Sequence, residues 1–550
     1  MIADLRSISF FSNVPEEMLD VIAQRLPRAH FRKGELVVLE GEPGDSMYLI
    51  ESGRVQVVTE EDGQEKILRY LEPGNFFGES ALLTGRPRSA SVRVAIDSEL
   101  IVITRDNLFA LIKQYPVIAV SLTRELGRRL SVAGRAPPRL EEHRIVAVNG
   151  GYALTLARRL AEVTAEDVLL LDIGGMQNVP VSENTLTQTH VKFARIGENV
   201  TPDVLPARLS ALVQEYYWLV LAIPTEASPV ARKAVELAND TAYFGDMALP
   251  WLAEIAGKNY WHLPHNAKMI DRIARRMAQR QVGIALSSGG ARGLAHIGVF
   301  QALEEAGIPI DRVAATSMGA LIGSMYCAGL GVERMTDWAL HIGRQWRTFT
   351  DVLIPPHWGF LRGNNLLEHF RRLMDDRHFE DLETPLSIIA VDVFTSEEVI
   401  FESGPVAEAM RASASLLPLL EPAHIGEHYL VDGGAANPFP TNILADKGMN
   451  VILGSSTIPS LLARIHRKEQ LKRGRSPDVV GIMLGQVEIM ESEIIRNISD
   501  PNQILIDSDV VHYSILDFFK GKELIAVGDK AAQKQIDAIR QRLAPTPRLR

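Results

Sequence analysis

The sequence predicts a multidomain chain with an all-β region first, a parallel α/β layer in the middle and a second α/β region at the end. Short β-type runs separated by glycine turns occupy Gly34–Leu71, a spacing typical of a small antiparallel barrel or roll. Apolar strands alternate with helical stretches over Arg144–Asp246, which favours parallel α/β structure. A strand, a glycine-rich turn and a helix follow from Gly283. We expect three domains, at 1–135, 140–262 and 263–550.

Composition and charge restrict the function classes. The hydrophobic content of 46% and the charged content of 23% are those of an ordinary globular protein. A net charge of -10 argues against a nucleic-acid-binding protein, because phosphate neutralisation needs clustered Lys and Arg on a net basic domain. The single cysteine, Cys327, excludes an internal disulfide and a Cys-rich metal site. No group of His and carboxylate residues has ligand spacing, so we predict no metal site.

The sequence also predicts a cytoplasmic protein. Asp4 and Arg6 interrupt the N-terminus where a signal peptide needs an apolar core, and no apolar run approaches the ~20 residues that span a bilayer. Peripheral binding to the inner membrane face stays open, because Leu461–Arg475 joins four apolar side chains to six Lys or Arg residues. A solvated surface helix is the alternative. Ile354–Leu361 is a second stretch that could contact lipid.

In the first region the expected strands are the runs Glu35–Leu39, Met47–Ile50, Val55–Val58 and Lys66–Leu71. Turn signals at Ser52-Gly53 and Asp62-Gly63 separate three of these runs, and the second signal predicts a hairpin. Helical residues from Arg105 to Leu130 should close the roll, and Gly134–Arg139 reads as a linker.

A motif for anion binding lies in Phe76–Ser91. A glycine-containing loop that opens a short helix presents backbone N–H groups to an anion, Arg88 can pair with it in a bidentate fork, and Glu79 can accept hydrogen bonds from a sugar. The stretch resembles the phosphate-binding cassette of the cyclic nucleotide-binding domains in protein kinase A regulatory subunits and bacterial catabolite activators. This resemblance, over residues 8 to 133, implies a β-roll with flanking helices and cyclic AMP or cyclic GMP as regulatory ligand. The implied contacts are Gly78, Glu79, Ser80, Arg88, Ser89 and Ala90. A roll that has lost its ligand, with Arg88 as a solvated charge, is the alternative.

The middle segment reads as a degenerate Rossmann-like spacer domain. Its predicted strands are Ile145–Val148, Val168–Asp172 and Trp218–Ile223. Asn149–Thr155 stands where a phosphate loop lies in the deviant Walker ATPases of chromosome partitioning, which the segment faintly resembles, but the phosphate-binding lysine is missing. The helix expected after it carries several arginines, which we interpret as a solvated face: Arg272, Arg275, Arg276 and Arg280.

Three motifs in the last region form a candidate active site. An apolar run breaks at Ser317 ahead of a small-residue helix, the geometry of a nucleophile elbow. Upstream, a glycine-rich turn can aim N–H groups at an oxyanion, and the candidate donors are Gly289, Gly290, Ala291 and Arg292. Downstream, Asp432 ends a strand on a glycine turn and could act as general base. An imidazole from His296, His424 or His428 would make a triad instead; we favour the dyad.

Together these motifs resemble the patatin-like phospholipases, from about residue 282 to 535. The nucleotide cassette ahead of them adds a resemblance to neuropathy target esterase and its bacterial relatives. The resemblance implies a three-layer α/β sandwich in which Ser317 is the nucleophile, Asp432 the base and Gly289–Arg292 the oxyanion hole. It further implies hydrolysis of acyl ester bonds in phospholipids or lysophospholipids through an acyl-enzyme, no catalytic cofactor, and regulation by a cyclic nucleotide.

Two positions depart from the family's pattern. Ala315 and Ser288 stand where the family usually has glycine, and neither residue type adopts positive φ readily. A catalytically inactive, nucleotide-responsive scaffold is therefore the second hypothesis.

Overall fold

In the computed structural model, two compact units divide the chain, one up to Ala274 and the other from Arg275 to Pro545. The structure describes residues 26–115 except 62–63 and 86, 118, 122, 144–176, 190–197, 200–264, 266–345, 351–353, 359–459, 479–498 and 503–545. The predicted linker at Gly134–Arg139, the Asp62-Gly63 turn, the basic run Leu461–Arg475 and most of Ile354–Leu361 lie outside these residues. Within them, no helix has the length and apolar character needed to cross a bilayer. The three domain boundaries stay predictions.

The first sheet confirms the predicted β-roll. Strands β3 and β6 pair antiparallel over most of their length, and β1, β4 and β5 extend this pairing. Residues of both long strands, such as Val55 and Val94, are fully buried inside the roll. The elements are β1 (Arg28–Phe31), β2 (Leu36–Val38), β3 (Ser46–Glu61), β4 (Gln64–Leu71), β5 (Phe76–Phe77), α1 (Glu79–Thr84), β6 (Ser91–Thr104) and α2 (Arg105–Gln114).

One predicted turn in the roll is wrong. Ser52-Gly53 does not separate two strands; it lies inside the single strand β3, whose register against β6 shifts between Ile50 and Val55. Gly53 has φ 88°, and a Cβ atom there would lie 2.3 Å from the Asp97 carbonyl oxygen. The glycine therefore serves a bulge that lets a long strand bend while it stays paired.

The second sheet is parallel throughout, in the order β12-β11-β7-β10-β8-β9. Its centre is apolar because strands covered on both faces need continuous hydrophobic runs, as in Trp218–Ile223. Asn149, in the stretch compared with a phosphate loop, donates its side-chain amide to the Phe244 carbonyl at 2.9 Å and accepts the Phe244 N–H at 2.8 Å. The elements are β7 (Arg144–Asn149), α3 (Gly150–Thr164), β8 (Val168–Asp172), β9 (Val191–Arg195), α4 (Leu205–Glu215), β10 (Trp218–Ile223), α5 (Pro229–Leu237), β11 (Asp240–Phe244), α6 (Pro250–Ala256) and β12 (Tyr260–Leu263).

The third sheet has a parallel centre, β15-β14-β13-β19-β20, and antiparallel strands β16, β18 and β17 on the β15 side. The strands are β13 (Val282–Leu286), β14 (Arg312–Thr316), β15 (Leu386–Asp392), β16 (Glu398–Phe401), β17 (Ala423–Ile425), β18 (His428–Asp432), β19 (Val451–Ser456) and β20 (Ile504–Asp507). The helices are α7 (Ala267–Met277), α8 (Ala295–Glu305), α9 (Met318–Cys327), α10 (Val332–Gln345), α11 (Asn364–Met374), α12 (Val406–Ser413), α13 (Thr441–Asp446), α14 (Val479–Ile498), α15 (Gly521–Gln533) and α16 (Ile536–Leu543).

One of the arginines interpreted as solvated is an ion-pair partner. Arg275 donates from Nη2 to Asp311 Oδ1 at 2.7 Å and from Nε to Oδ2 at 3.0 Å. Asp311 is 1% exposed and also accepts the Val282 N–H at 2.9 Å. The pair thus joins the C-terminal end of α7, from Arg275 on, to the starts of β13 and β14, because the Asp311 carboxylate bonds to both Arg275 and the Val282 N–H.

Breaking this pair should destabilise the second unit. We expect Arg275→Met to lower its unfolding free energy by on the order of 3 kcal/mol, since Asp311 would stay buried without its cation. Urea denaturation of the full chain measures the change. The double variant Arg275→Met/Asp311→Asn should lose less than the single variant; an equal or larger loss would contradict the ion-pair explanation.

Candidate functional site

Ser317 lies on a sharp turn between β14 and α9. Its backbone has φ 55° and ψ -121°, a conformation that costs a non-glycine residue about 1–3 kcal/mol. The Ser317 N–H donates to Ser413 Oγ at 2.8 Å, and the Ser413 hydroxyl donates to the Ile389 carbonyl at 2.6 Å. A Cβ atom on Gly319 would lie 2.6 Å from the Leu286 carbonyl oxygen, so α9 begins in close contact with the end of β13. These contacts hold the strained turn.

Sheet register brings Asp432 to the level of Ser317. Thr316 pairs with Ile389 on β15, and the next residue of β15, Ala390, pairs with Asp432 on β18. Ser317 Oγ donates to Asp432 Oδ2 at 2.5 Å, and the Gly434 N–H donates to Oδ1 at 2.8 Å. Burial raises the pKa of Asp432 to about 6, against the lowering effect of these two hydrogen bonds. The pair has the contact that proton transfer between a hydroxyl and a carboxylate needs.

The glycine-rich loop lies against the turn that holds Ser317. A Cβ atom on Gly293 would meet the side chain of Met318, the residue after Ser317, at 2.5 Å. Gly289 and Gly290 have φ 152° and 56°, and side chains there would meet Thr457 and Ile515. Both positions therefore require glycine.

Two of the four predicted oxyanion donors already have acceptors. The Ala291 N–H donates to the Ile515 carbonyl at 2.8 Å, and the Arg292 N–H donates to the Gly289 carbonyl at 3.2 Å. Among the described residues, the N–H groups of Gly289 and Gly290 have no backbone acceptor outside regular helices and strands. These two are the remaining candidates for stabilising an oxyanion.

The two departures from the glycine pattern need no unusual backbone. Neither Ser288 nor Ala315 has a positive φ. The Ser288 hydroxyl donates to Glu491 Oε1 at 2.5 Å, and Ala315 is fully buried in the core. The concern that these residues would strain the site was therefore wrong, because the positive φ angles fall on other residues.

The three candidate histidines lie in other contacts. His296 is fully buried; its Nε2–H donates to the Ser287 carbonyl at 3.0 Å, Nδ1 accepts from the Ser455 hydroxyl at 2.7 Å, and burial lowers its pKa to about 4. His428 pairs with Asp392 at 2.8 Å, and His424 packs on a tyrosine ring. Within the described residues, no hydrogen bond joins these imidazoles to Ser317 or Asp432. A triad has no geometric support.

All six residues of the predicted nucleotide cassette line one pocket of about 70 Å³. Arg88 is buried, and its Nη1 donates to the Gly78 carbonyl at 2.9 Å. Gly78 has φ 82°, and a Cβ atom on it would lie 2.6 Å from that nitrogen. The guanidinium is thus held beside the loop that precedes α1. Arg69 also lines the pocket, and no sequence motif predicted this.

Three residues near Ser317 and the glycine-rich loop were not predicted from the sequence. Ser413 accepts the Ser317 N–H, Glu491 accepts the Ser288 hydroxyl, and Glu488 Oε1 lies 2.9 Å from Arg292 Nη2. A signal for the two glutamates was present, because they stand three residues apart in an apolar helix and so share a face.

Comparison with known proteins identifies two domain families in the chain. Residues 284–445 match the family described as patatin-like phospholipase, and residues 28–115 match the cyclic nucleotide-binding domain. An uncharacterized NTE family protein of Mycobacterium tuberculosis is 27% identical over 488 residues, covering 82% of this chain and 79% of that protein. The mouse patatin-like phospholipase domain-containing protein 7 is 23% identical over 507 residues, covering 76% of this chain and 37% of that protein. Thermus thermophilus catabolite activator protein shares 28% identity, covering 28% of this chain and 70% of its own, with a TM-score of 0.22.

The raised pKa of Asp432 predicts a stability gain when its charge is removed. A carboxyl whose pKa is raised on folding contributes stability below its unfolded pKa, and that contribution is lost as pH rises through about 6. At pH 8 we expect Asp432→Asn to exceed the wild type in unfolding free energy by on the order of 3 kcal/mol, since each pKa unit of the shift corresponds to about 1.4 kcal/mol. Urea denaturation at pH 8 and pH 5 measures the difference, which should shrink at the lower pH.

Asp392→Asn is the matched control. The pKa of Asp392 is lowered, first by its hydrogen bond with His428 and then by backbone N–H donors, so its replacement should reduce stability at pH 8. A stability loss of equal size in both variants would contradict the burial explanation for Asp432.

Proposed function

We propose that this chain, which combines a patatin-like phospholipase domain with a cyclic nucleotide-binding domain, is a serine esterase that hydrolyses acyl ester bonds of phospholipids or lysophospholipids. The observation that carries the proposal is the 2.5 Å hydrogen bond from Ser317 Oγ to Asp432 Oδ2 at a buried, strained turn. The names of the matching family and of the mouse relative support the lipid class of substrate.

In the first half of the proposed reaction Asp432 takes the hydroxyl proton of Ser317 while Oγ attacks the ester carbonyl carbon. The carbonyl oxygen becomes an oxyanion, which the N–H groups of Gly289 and Gly290 stabilise. When the intermediate collapses, protonated Asp432 gives its proton to the leaving alcohol oxygen. The acyl group remains on Ser317 as an ester.

In the second half water replaces the alcohol. Asp432 takes a proton from the water as its oxygen attacks the acyl carbon, and the same N–H groups stabilise the second oxyanion. Ser317 Oγ then leaves, regains its proton from Asp432, and the fatty acid is released. Since Asp432 must begin as a carboxylate, its raised pKa sets the lower pH limit of activity.

The structure offers a route for nucleotide regulation within the first unit. Side chains alternate between the two faces of a strand, and in β3, β4 and β6 one face lines the nucleotide pocket through Val57, Arg69 and Val92. Their neighbours line a separate cavity of about 170 Å³ that the α/β layer completes, and these neighbours are Gln56, Tyr70 and Arg93. The wall formed by β3, β4 and β6 therefore separates the predicted nucleotide pocket from the cavity next to the α/β layer.

Polar contacts join the roll to the α/β layer. Lys33 Nζ donates to the Leu237 and Ala238 carbonyls at the end of α5, at 3.1 and 2.7 Å. Ser210 Oγ donates to the Gly53 carbonyl at 2.7 Å, next to the bulge of β3. We propose that nucleotide binding regulates the esterase by changing this wall, provided that the nucleotide binds active and inactive states with different affinity. Peripheral binding to a membrane follows from the substrate class.

The catalytic assignment predicts a large and selective loss of activity. Ser317→Ala and Asp432→Asn should each lower kcat on lysophosphatidylcholine by about a thousandfold or more, because the nucleophile or its base is removed. Wild-type kcat/KM should rise about tenfold per pH unit below the Asp432 pKa and level off above it.

Ser324→Ala is the matched control for this prediction. Ser324 is a fully buried serine on the same helix α9, and among the described residues its hydroxyl has no hydrogen-bond partner. This variant should retain activity and label with a serine-reactive fluorophosphonate, whereas Ser317→Ala should not label. Equal hydrolysis by wild type and Ser317→Ala would exclude the proposed nucleophile.

The nucleotide site predicts a loss of binding in Arg88→Ala. Calorimetry of the full chain with cyclic AMP and with cyclic GMP should show binding of at least one, weakened about 10- to 100-fold in the variant, since a charge-assisted contact to phosphate is lost. Arg28→Ala removes another arginine of the roll, one that pairs with Glu51 outside the pocket, and should leave the affinity unchanged. No heat from either nucleotide with wild type would refute the site for these ligands.

A further inference from the structure

We infer that helix α14 is a membrane-binding surface of the esterase unit. Its inner face holds the glycine-rich loop Ser288–Arg292, called here the oxyanion loop, and its outer face binds the surface of an anionic phospholipid bilayer. The inference rests on the proposed function, because it adds the surface from which the lipid substrate is taken. It concerns a helix to which neither matched family region extends.

The inner face of α14 contacts the loop through two carboxylates. Glu491 Oε1 accepts from the Ser288 hydroxyl at 2.5 Å, and Glu488 Oε1 lies 2.9 Å from Arg292 Nη2. Ser288 and Arg292 flank the two glycines proposed as oxyanion donors. Glu491 Oε1 would also lie 2.5 Å from a Cβ atom on Gly434, so the same helix contacts the turn after Asp432. Movement of α14 would therefore change the surroundings of both halves of the candidate site.

The outer face of α14 is unusually apolar for an exposed surface. Four side chains there are about half exposed, and these are Ile482 at 51%, Met483 at 42%, Ile489 at 59% and Met490 at 50%. At 3.6 residues per turn they lie on the opposite side of the helix from Glu488 and Glu491. Gln486 and Glu493 are exposed polar residues of this face.

This arrangement departs from the usual pattern of a surface helix. Such a helix normally turns one apolar stripe to the core and its charges to water, whereas α14 is apolar on both sides. On the inner side Leu484 is buried and Ile495 packs on the core, while the four apolar side chains of the outer face are exposed. An exposed apolar patch of this kind marks an interaction site, which indicates that the outer face is covered when the protein acts.

The chemistry around α14 favours a lipid surface as the partner. The proposed substrate carries acyl chains that reside in bilayers, and the helix contacts the loop that would act on them. Directly before α14 in the sequence, Leu461–Arg475 contains six Lys or Arg residues and one Glu, a charge that complements anionic headgroups. Apolar side chains on a helix beside basic residues are the composition of helices that lie in the membrane interface.

The test compares two double variants of the full chain. Ile489→Gln/Met490→Gln removes two apolar side chains from the outer face, and Val204→Gln/Met247→Gln makes the same kind of change at residues of the first unit that are 50% and 79% exposed. Flotation with vesicles of phosphatidylcholine and phosphatidylglycerol measures binding. We expect the α14 variant to bind about tenfold more weakly than wild type and the control variant to bind like wild type.

Activity separates this inference from the proposed function. Hydrolysis of vesicle lipid should fall in the α14 variant in parallel with binding, while its kcat/KM on a monomeric short-chain nitrophenyl ester should equal that of wild type. Equal vesicle binding by wild type and both variants would overturn the membrane surface. A dimer in sedimentation that is lost only in the α14 variant would also overturn it, because the outer face would then be a self-association site. A wild type that binds vesicles through α14 but hydrolyses neither substrate would support the surface and refute the esterase.

Discussion

The buried contact between the Ser317 hydroxyl and the Asp432 carboxylate is the interaction on which the candidate active site depends. A carboxylate that is 6% exposed is costly unless hydrogen bonds satisfy it, and this one has a hydroxyl and one N–H as partners. The backbone around it leaves no room for adjustment, since a Cβ atom on Gly433 would lie 2.4 Å from the Ile389 carbonyl oxygen. The third sheet is thus stable enough to maintain a buried carboxylate and a strained turn, which are unfavourable by themselves.

Sequence patterns were sufficient to locate the candidate residues whose position depends on local conformation. The break after an apolar strand indicated Ser317, the Asp-Gly turn indicated Asp432, and the glycine cassette indicated Arg88. Partners that depend on strand order could not be predicted in this way. Ser413 is 96 residues from Ser317, and Glu491 is 203 residues from Ser288; no periodicity within one element connects such positions. Arg275 was misjudged for the same reason, because its partner Asp311 lies beyond the next strand and helix.

Ser288 and Ala315 show that the backbone conformation decides whether a departure from a glycine pattern matters. Glycine is required where φ is positive or where a side chain would collide, and both conditions hold at Gly289 and Gly290. They do not hold at Ser288, whose hydroxyl instead gains a carboxylate partner on α14. Ser288 therefore connects the glycine-rich loop to helix α14. The backbone strain that motivated the inactive-scaffold hypothesis is absent at Ser288 and at Ala315.

The proposed nucleotide regulation and the proposed membrane surface use the same physical arrangement in different secondary structure. In the roll, side chains alternate along a strand, so that one set lines the predicted nucleotide pocket and the other set lines the cavity next to the α/β layer. In α14, the residues on one side of the helix contact the oxyanion loop, and those on the opposite side are exposed to solvent. A ligand on the outer side of either element can act on the inner side only by shifting the element as a whole. Because elements packed on a core resist gradual deformation, each would act by favouring one of two discrete positions, and this is the property that the proposed regulation requires.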